Sequence, residues 1–231
     1  MGFWGFRLPA EKRDHFIITT MIVATAALSY YAMATGYGQV NVDFPTNGLD
    51  LEKAKVVTRP IFYARYIDWS ITTPLLLLDV LLMAKLPLSS TAWAIYADLA
   101  MVITGLIGGL VGDSWRWGWF ALGCFFMIAI FVSLFVDGAK AVAKRDNSLS
   151  SFYNSTVLGL VILWTAYPIV WAFGEGTNQI SSDVEVYLYA ILDVLAKVGW
   201  GGFILYHNER LTASYSKGIG RSDAETGLLQ D

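Results

Sequence analysis

The sequence predicts an all-α membrane protein, and three observations carry that prediction. Of 231 residues, 55% are hydrophobic and only 15% charged, which is too apolar for a soluble domain of this length. Six stretches, 16–36, 61–84, 92–112, 117–136, 152–173 and 184–206, each approach the roughly 20 apolar residues that cross a bilayer as a helix. Polar or glycine-rich loops separate them. Backbone groups in hydrocarbon must be satisfied within their own segment, so runs this long form helices rather than barrel strands. The chain reads as a single bundle over 1–231, with 209–231 as a tail.

Composition also excludes some partners. A formal charge of -3 leaves no basic footprint for nucleic acid. The single cysteine, Cys124, lies inside the fourth run; it permits no intrachain disulfide and reads as packing. The opening MGFWGFRLPAEKRD has neither the apolar core nor the cleavage site of a secretory signal.

The first run, FIITTMIVATAALSYYAMATGYG, carries no charge. The second, IFYARYIDWSITTPLLLLDVLLMA, holds Arg65, Asp68 and Asp79, so it must face protein or water rather than lipid. At about 100° per residue, Asp68 and Asp79 return to within about 20° of one face, about 16 Å apart along the axis. Arg65 and Thr72 complete that stripe. The third run contains Asp98 in YADLAM, and the fourth contains Cys124 and Met127. In the fifth, LWTAYPIVW spaces Trp164, Tyr167 and Trp171 along one face beside Pro168, a residue that kinks helices. Such a stripe is either ordinary core or, near other functional groups, the wall of a slot for a flat conjugated molecule.

The sixth run, VYLYAILDVLAKVGWGGFILY, places Asp193 and Lys197 at i and i+4, hence on one face. Two readings follow. The pair neutralises itself, as Arg65 and Asp68 could, within a purely structural bundle. Alternatively, the buried amine forms a Schiff base with an aldehyde, which Asp68 and Asp193 would keep protonated.

Basic residues orient the bundle. Arg7, Lys12, Arg13, Lys85, Lys140, Lys144, Arg145, Arg210, Lys217 and Arg221 fall on one side, against Lys53, Lys55, Arg59 and Arg116 on the other. The richer side, with the C-terminus, is therefore expected in the cytoplasm.

The segments ARYIDWSITTPLLLLDV, LWTAYPIVW and LDVLAKVGWG together resemble the microbial rhodopsins, in particular their fungal proton-pumping branch, and the similarity runs from about residue 10 to about residue 208. The resemblance implies a seven-helix rhodopsin-type bundle in the plasma membrane and all-trans retinal bound to Lys197 as a protonated Schiff base. It implies a light-driven outward proton pump, a transporter rather than an enzyme.

Residue by residue, Asp68 resembles the primary counterion and proton acceptor, Asp193 the second counterion, and Arg65 the arginine coupling the counterion to the exit side. Asp79 resembles the internal proton donor, with Thr72 between acceptor and donor. Glu185 and, less directly because of a shorter loop, Glu175 resemble the proton-release pair; the plainer reading of both is a solvated loop carboxylate. Trp69, Trp164, Tyr167, Pro168 and Trp171 resemble the retinal pocket, as do Tyr30, Thr73, Leu76, Met101 and Met127. Asp98 resembles a buried aspartate with a structural hydrogen bond.

The first run resembles the family's second helix, so six of seven spans are evident. The expectation is that the sequence begins partway through a longer protein, the alternative being a six-span variant with both termini in the cytoplasm. Lipid and protons are the implied partners, and the apolar outer surface permits trimers such as related pumps form. Two rivals remain: a slowly cycling sensory rhodopsin that signals through a partner, for which the tail is a candidate docking segment, and a retinal-free transporter or receptor.

Overall fold

The computed structural model describes residues 10–45, 56–144 and 147–207. Its helices are α1 (Ala10–Ala34), α2 (Tyr63–Ala84), α3 (Leu88–Leu110), α4 (Arg116–Ala143), α5 (Asn147–Trp171, extended by a π-helical turn, Ala172–Gly176) and α6 (Ser182–His207). Six of these segments are long and apolar enough to cross a membrane, and the chain is an integral membrane protein with a helical bundle. The predicted runs fall on the six helices in order. Helix α1 starts earlier than expected, at Ala10, and α4 continues past residue 136 to Ala143. The tail 209–231 and the expected positions of Arg7, Lys53, Lys55, Arg145, Arg210, Lys217 and Arg221 lie outside the described residues.

Between α1 and α2 the chain forms an antiparallel ribbon that the sequence reading took for loop. Strand β1 (Val40–Pro45) pairs with β2 (Val56–Ile61), from Val40 opposite Ile61 to Pro45 opposite Val56. Its alternation is short and interrupted by Pro60, which gives too weak a period-2 signal to read. Gly38 leads into it at φ +76° with its backbone against Ala64, where a Cβ would collide with the alanine side chain. The carbonyl of Gly38 accepts the Ala64 N–H at 2.9 Å. Glycine alone tolerates both the conformation and the approach.

The ribbon is pinned to the bundle by arginines. The Arg116 guanidinium lies 4.3 Å from the centre of the Phe44 ring and donates to the Gly112 carbonyl at 2.7 Å. Arg116, expected in a loop, is instead the first residue of α4 and is buried.

Successive helices pack side by side, and α6 closes back on α1. Helix α2 is the most enclosed, with 50% of its apolar window buried, as its intramembrane charges require. The opposite faces expose apolar side chains such as Leu28, Ile71, Ile103 and Ile162, the surface expected where lipid replaces water. Two cores fill the interior. One, around Leu77, Val80, Ile130, Leu134 and Leu160, lies toward the end opposite the ribbon. The other, around Tyr66, Trp69, Trp171 and Tyr189, lies toward the ribbon.

Each of α4, α5 and α6 contains a π-helical turn: Ser133–Gly138, Ala172–Gly176 and Val194–Gly199. Such turns add a residue to the helix and shift the faces that follow. The turn in α6 contains Lys197.

Candidate functional site

Lys197 is 2% exposed, in the middle of α6. Its Nζ makes a hydrogen-bonded ion pair with Oδ2 of Asp68 on α2 and lies 3.3 Å from Oδ1 of Asp193, four residues earlier on its own helix. The expected i, i+4 relation is present, and the amine sits between two carboxylates. Asp68 Oδ1 has no protein partner among the described residues.

Asp193 is held on several sides. Tyr30 donates to its Oδ2 at 2.8 Å and Tyr167 to its Oδ1 at 2.9 Å, with Trp69 Nε1 3.4 Å from Oδ1. Tyr30 therefore acts on the same carboxylate as Tyr167 and Trp69. Thr72 is fully buried and donates to the Asp68 carbonyl at 2.9 Å, back-bonding within α2 between the two aspartates.

Lys197 opens on an apolar cavity enclosed by α2, α3, α4, α5 and α6. Trp69, Thr73 and Leu76 line it from α2, Met101 from α3 and Met127 from α4. Trp164, Tyr167, Pro168 and Trp171 line it from α5, so the stripe read as either core or slot wall faces a cavity. The sequence reading missed Tyr66, Phe120 and Tyr189, which also line it, and treated Cys124 as packing although it borders the space. Aromatics on lipid-length helices look alike in sequence whichever way they face. Asp98 is fully buried and accepts from Thr73 Oγ1 at 2.9 Å, the structural bond expected of it.

Toward the ribbon, α2 presents Arg65, 1% exposed. The pairing of Arg65 with Asp68 allowed by the sequence is not made among the described residues. Arg65 turns the other way: its Nη1 donates to Glu185 Oε1 at 2.6 Å and lies 3.9 Å from Glu175 Oε1, with its guanidinium carbon 4.2 Å from the Tyr189 ring centre. Tyr66 donates to Glu175 Oε2.

Both glutamates are buried, at 1% and 2% exposure, which rules out the solvated-loop reading. Glu185 is also paired with Arg59, counted in the sequence as an outer-side loop cation. It is a β2 residue, 2% exposed. Arg59 donates to Glu185 Oε2 at 2.5 Å, to Asn178 Oδ1 at 2.6 Å and to the Ile180 carbonyl at 2.7 Å. No local signal ties residue 59 to residue 185.

At the far end of α2, Asp79 is 1% exposed. Its Oδ1 is hydrogen-bonded to Nδ1 of His15 on α1, a residue not singled out in the sequence.

Along α2 the polar groups therefore run from the ribbon end inward as Arg65 with its glutamates, then Asp68 with Lys197, then Asp79 with His15. Comparison with known proteins accords with this arrangement. The solved light-driven proton pump LR (Mac) of Leptosphaeria maculans superposes with a TM-score of 0.84 at 39% identity, covering 89% of this chain and 87% of that one. The light-driven proton pump CsR of Coccomyxa subellipsoidea superposes with a TM-score of 0.80 at 41% identity, over 87% and 85% of the two chains. Opsin-1 of Neurospora crassa is 35% identical over 87% of this chain and 68% of its own. Residues 3–211 match the family described as bacteriorhodopsin-like protein, and on these matches the chain belongs to the bacteriorhodopsin-like family.

Proposed function

We propose that the protein is a light-driven outward proton pump that carries retinal on Lys197. The observation supporting this most directly is the buried Lys197 amine between Asp68 and Asp193 at the wall of an apolar, aromatic-lined cavity. The donor set suits such a group. A primary amine is the nucleophile that condenses with an aldehyde, the rings of Trp69, Trp164 and Trp171 offer flat apolar faces, and two carboxylates balance a cation on the nitrogen.

Retinal bound there supplies absorption of visible light and a light-driven change of shape. The protein's own groups handle the proton. Asp68 Oδ2, in contact with the Lys197 nitrogen, accepts its proton. Asp193, on the other side of the nitrogen, is held in place by Tyr30, Tyr167 and Trp69, which all direct donors at it. Arg65, one turn before Asp68 on α2, holds Glu185 and Glu175, from which a proton leaves at the ribbon end. Asp79 returns a proton to the Lys197 nitrogen from the other side. Thr72, Leu76 and Leu77, all buried, occupy α2 between acceptor and donor and keep the two half-paths apart.

In this reading the ribbon end is extracellular and the opposite end, with the C-terminus, is cytoplasmic. The protein lies in the plasma membrane as one bundle. Expression with and without added all-trans retinal tests the pigment. A visible absorption band that requires retinal and is lost in Lys197→Ala is expected; a band that survives that substitution excludes attachment at Lys197.

A further inference from the structure

The His15 contact gives the inner half of the pathway a member that the scheme above does not use. Asp79 is sealed, its side chain 1% exposed, whereas the His15 side chain bonded to it is 12% exposed. The pair is thus graded in depth, with the imidazole on the shallower side. One turn deeper on the same face of α1, Thr19 is 4% exposed and its Oγ1 finds no partner among the described residues. Thr19 packs against Gly201, where a Cβ would collide with the threonine methyl. Gly201 lies one turn beyond Lys197 on α6. Helix α1 therefore carries a polar edge, His15 then Thr19, along the seam it shares with α2 and α6.

A donor that sends its proton inward must be reloaded from the other side, and a carboxyl cut off from water receives a proton only through a neighbour within hydrogen-bond reach. Imidazole suits this, because it takes a proton at one nitrogen while giving one up at the other near neutral pH. We propose that His15 is the relay that reloads Asp79 from the cytoplasmic side. After Asp79 gives its proton inward, His15 Nε2 takes a proton from the aqueous side and Nδ1–H passes its own to Asp79 Oδ1. One proton enters and one is delivered. The ring ends neutral with its hydrogen on Nε2, and the cycle closes when it returns to the starting tautomer.

This inference rests on the pump reading, and the experiment separates the two. The full chain is reconstituted with retinal, and the return of the proton to the Lys197 nitrogen is followed after a light flash in wild type, His15→Ala and His15→Gln. A wild type that transports no protons sinks the pump reading itself. With a pumping wild type, both variants should keep the visible band, which reports the folded pigment, and should recover about 100-fold more slowly. Added imidazole should accelerate His15→Ala but leave His15→Gln, whose side chain still fills the site, unchanged. Recovery of His15→Ala within twofold of wild type overturns the relay. So does wild-type recovery in His15→Gln, which would mean that a hydrogen bond alone suffices, or a slow His15→Ala that imidazole does not accelerate.

Discussion

At the scale of single residues, the chemistry turns on which carboxylates touch which cations. Asp68 contacts the Lys197 nitrogen directly, so Asp68→Asn removes the proposed acceptor while keeping the shape of the side chain. Proton transport should fall at least about 100-fold, with the pigment retained and its absorption moved to longer wavelength, because the anion that stabilises positive charge at the nitrogen is gone. Flux and spectrum measured on one sample check both. Much of this centre was legible in the sequence because its signals are local: Asp193 and Lys197 are four residues apart, and Arg65, Thr72 and Asp79 share a helix with Asp68. Arg59 and His15 were not legible. Their partners lie 126 and 64 positions away, and nothing in the residues around them indicates which distant carboxylate they meet. The Tyr30 hydroxyl reaches Asp193 from another helix, a partner that spacing along α1 does not reveal.

At the scale of elements, the ribbon and the π-helical turns are what the hydrophobic pattern concealed. Arg59 ties β2 to Asn178, to the Ile180 carbonyl and to Glu185 near the start of α6. Arg59→Gln leaves Glu185 with Arg65 alone, and breaking one side of a buried pair costs about 3 kcal/mol. The visible band should therefore bleach at a lower temperature than in wild type, as a thermal ramp will show. Unchanged thermal stability would mean that the ribbon is not held through this residue. In α4, the turn Ser133–Gly138 brings Gly138 against the Tyr153 hydroxyl, where a Cβ would overlap it, and that hydroxyl donates to the Leu134 carbonyl at 3.1 Å. Gly138→Ala should destabilise the protein by about 1–3 kcal/mol. Adding Tyr153→Phe should recover part of the loss, which a double-mutant cycle of thermal midpoints measures. A hydropathy window sees length and apolarity, both unchanged by one extra residue in a turn, so these irregularities leave no trace in it.

At the scale of the whole molecule, a single helix organises the polar interior. Helix α2 carries Arg65, Asp68 and Asp79 at successive depths, and its neighbours supply partners at each level: Glu185 from α6 and Glu175 from the turn that extends α5, then Lys197 from α6, then His15 from α1. Fold class and span order were readable because bilayer thickness imposes one length on every helix. In the proposed scheme the direction of transport follows from the order of these levels, with the proposed acceptor Asp68 toward the ribbon and the proposed donor Asp79 away from it. Light-driven pH change in an unbuffered suspension of cells expressing the retinal-loaded protein tests that direction most directly. The account predicts that the medium acidifies on illumination, that a protonophore abolishes the signal, and that Asp68→Asn lacks it. Alkalinisation, or no change from a correctly pigmented protein, would contradict it.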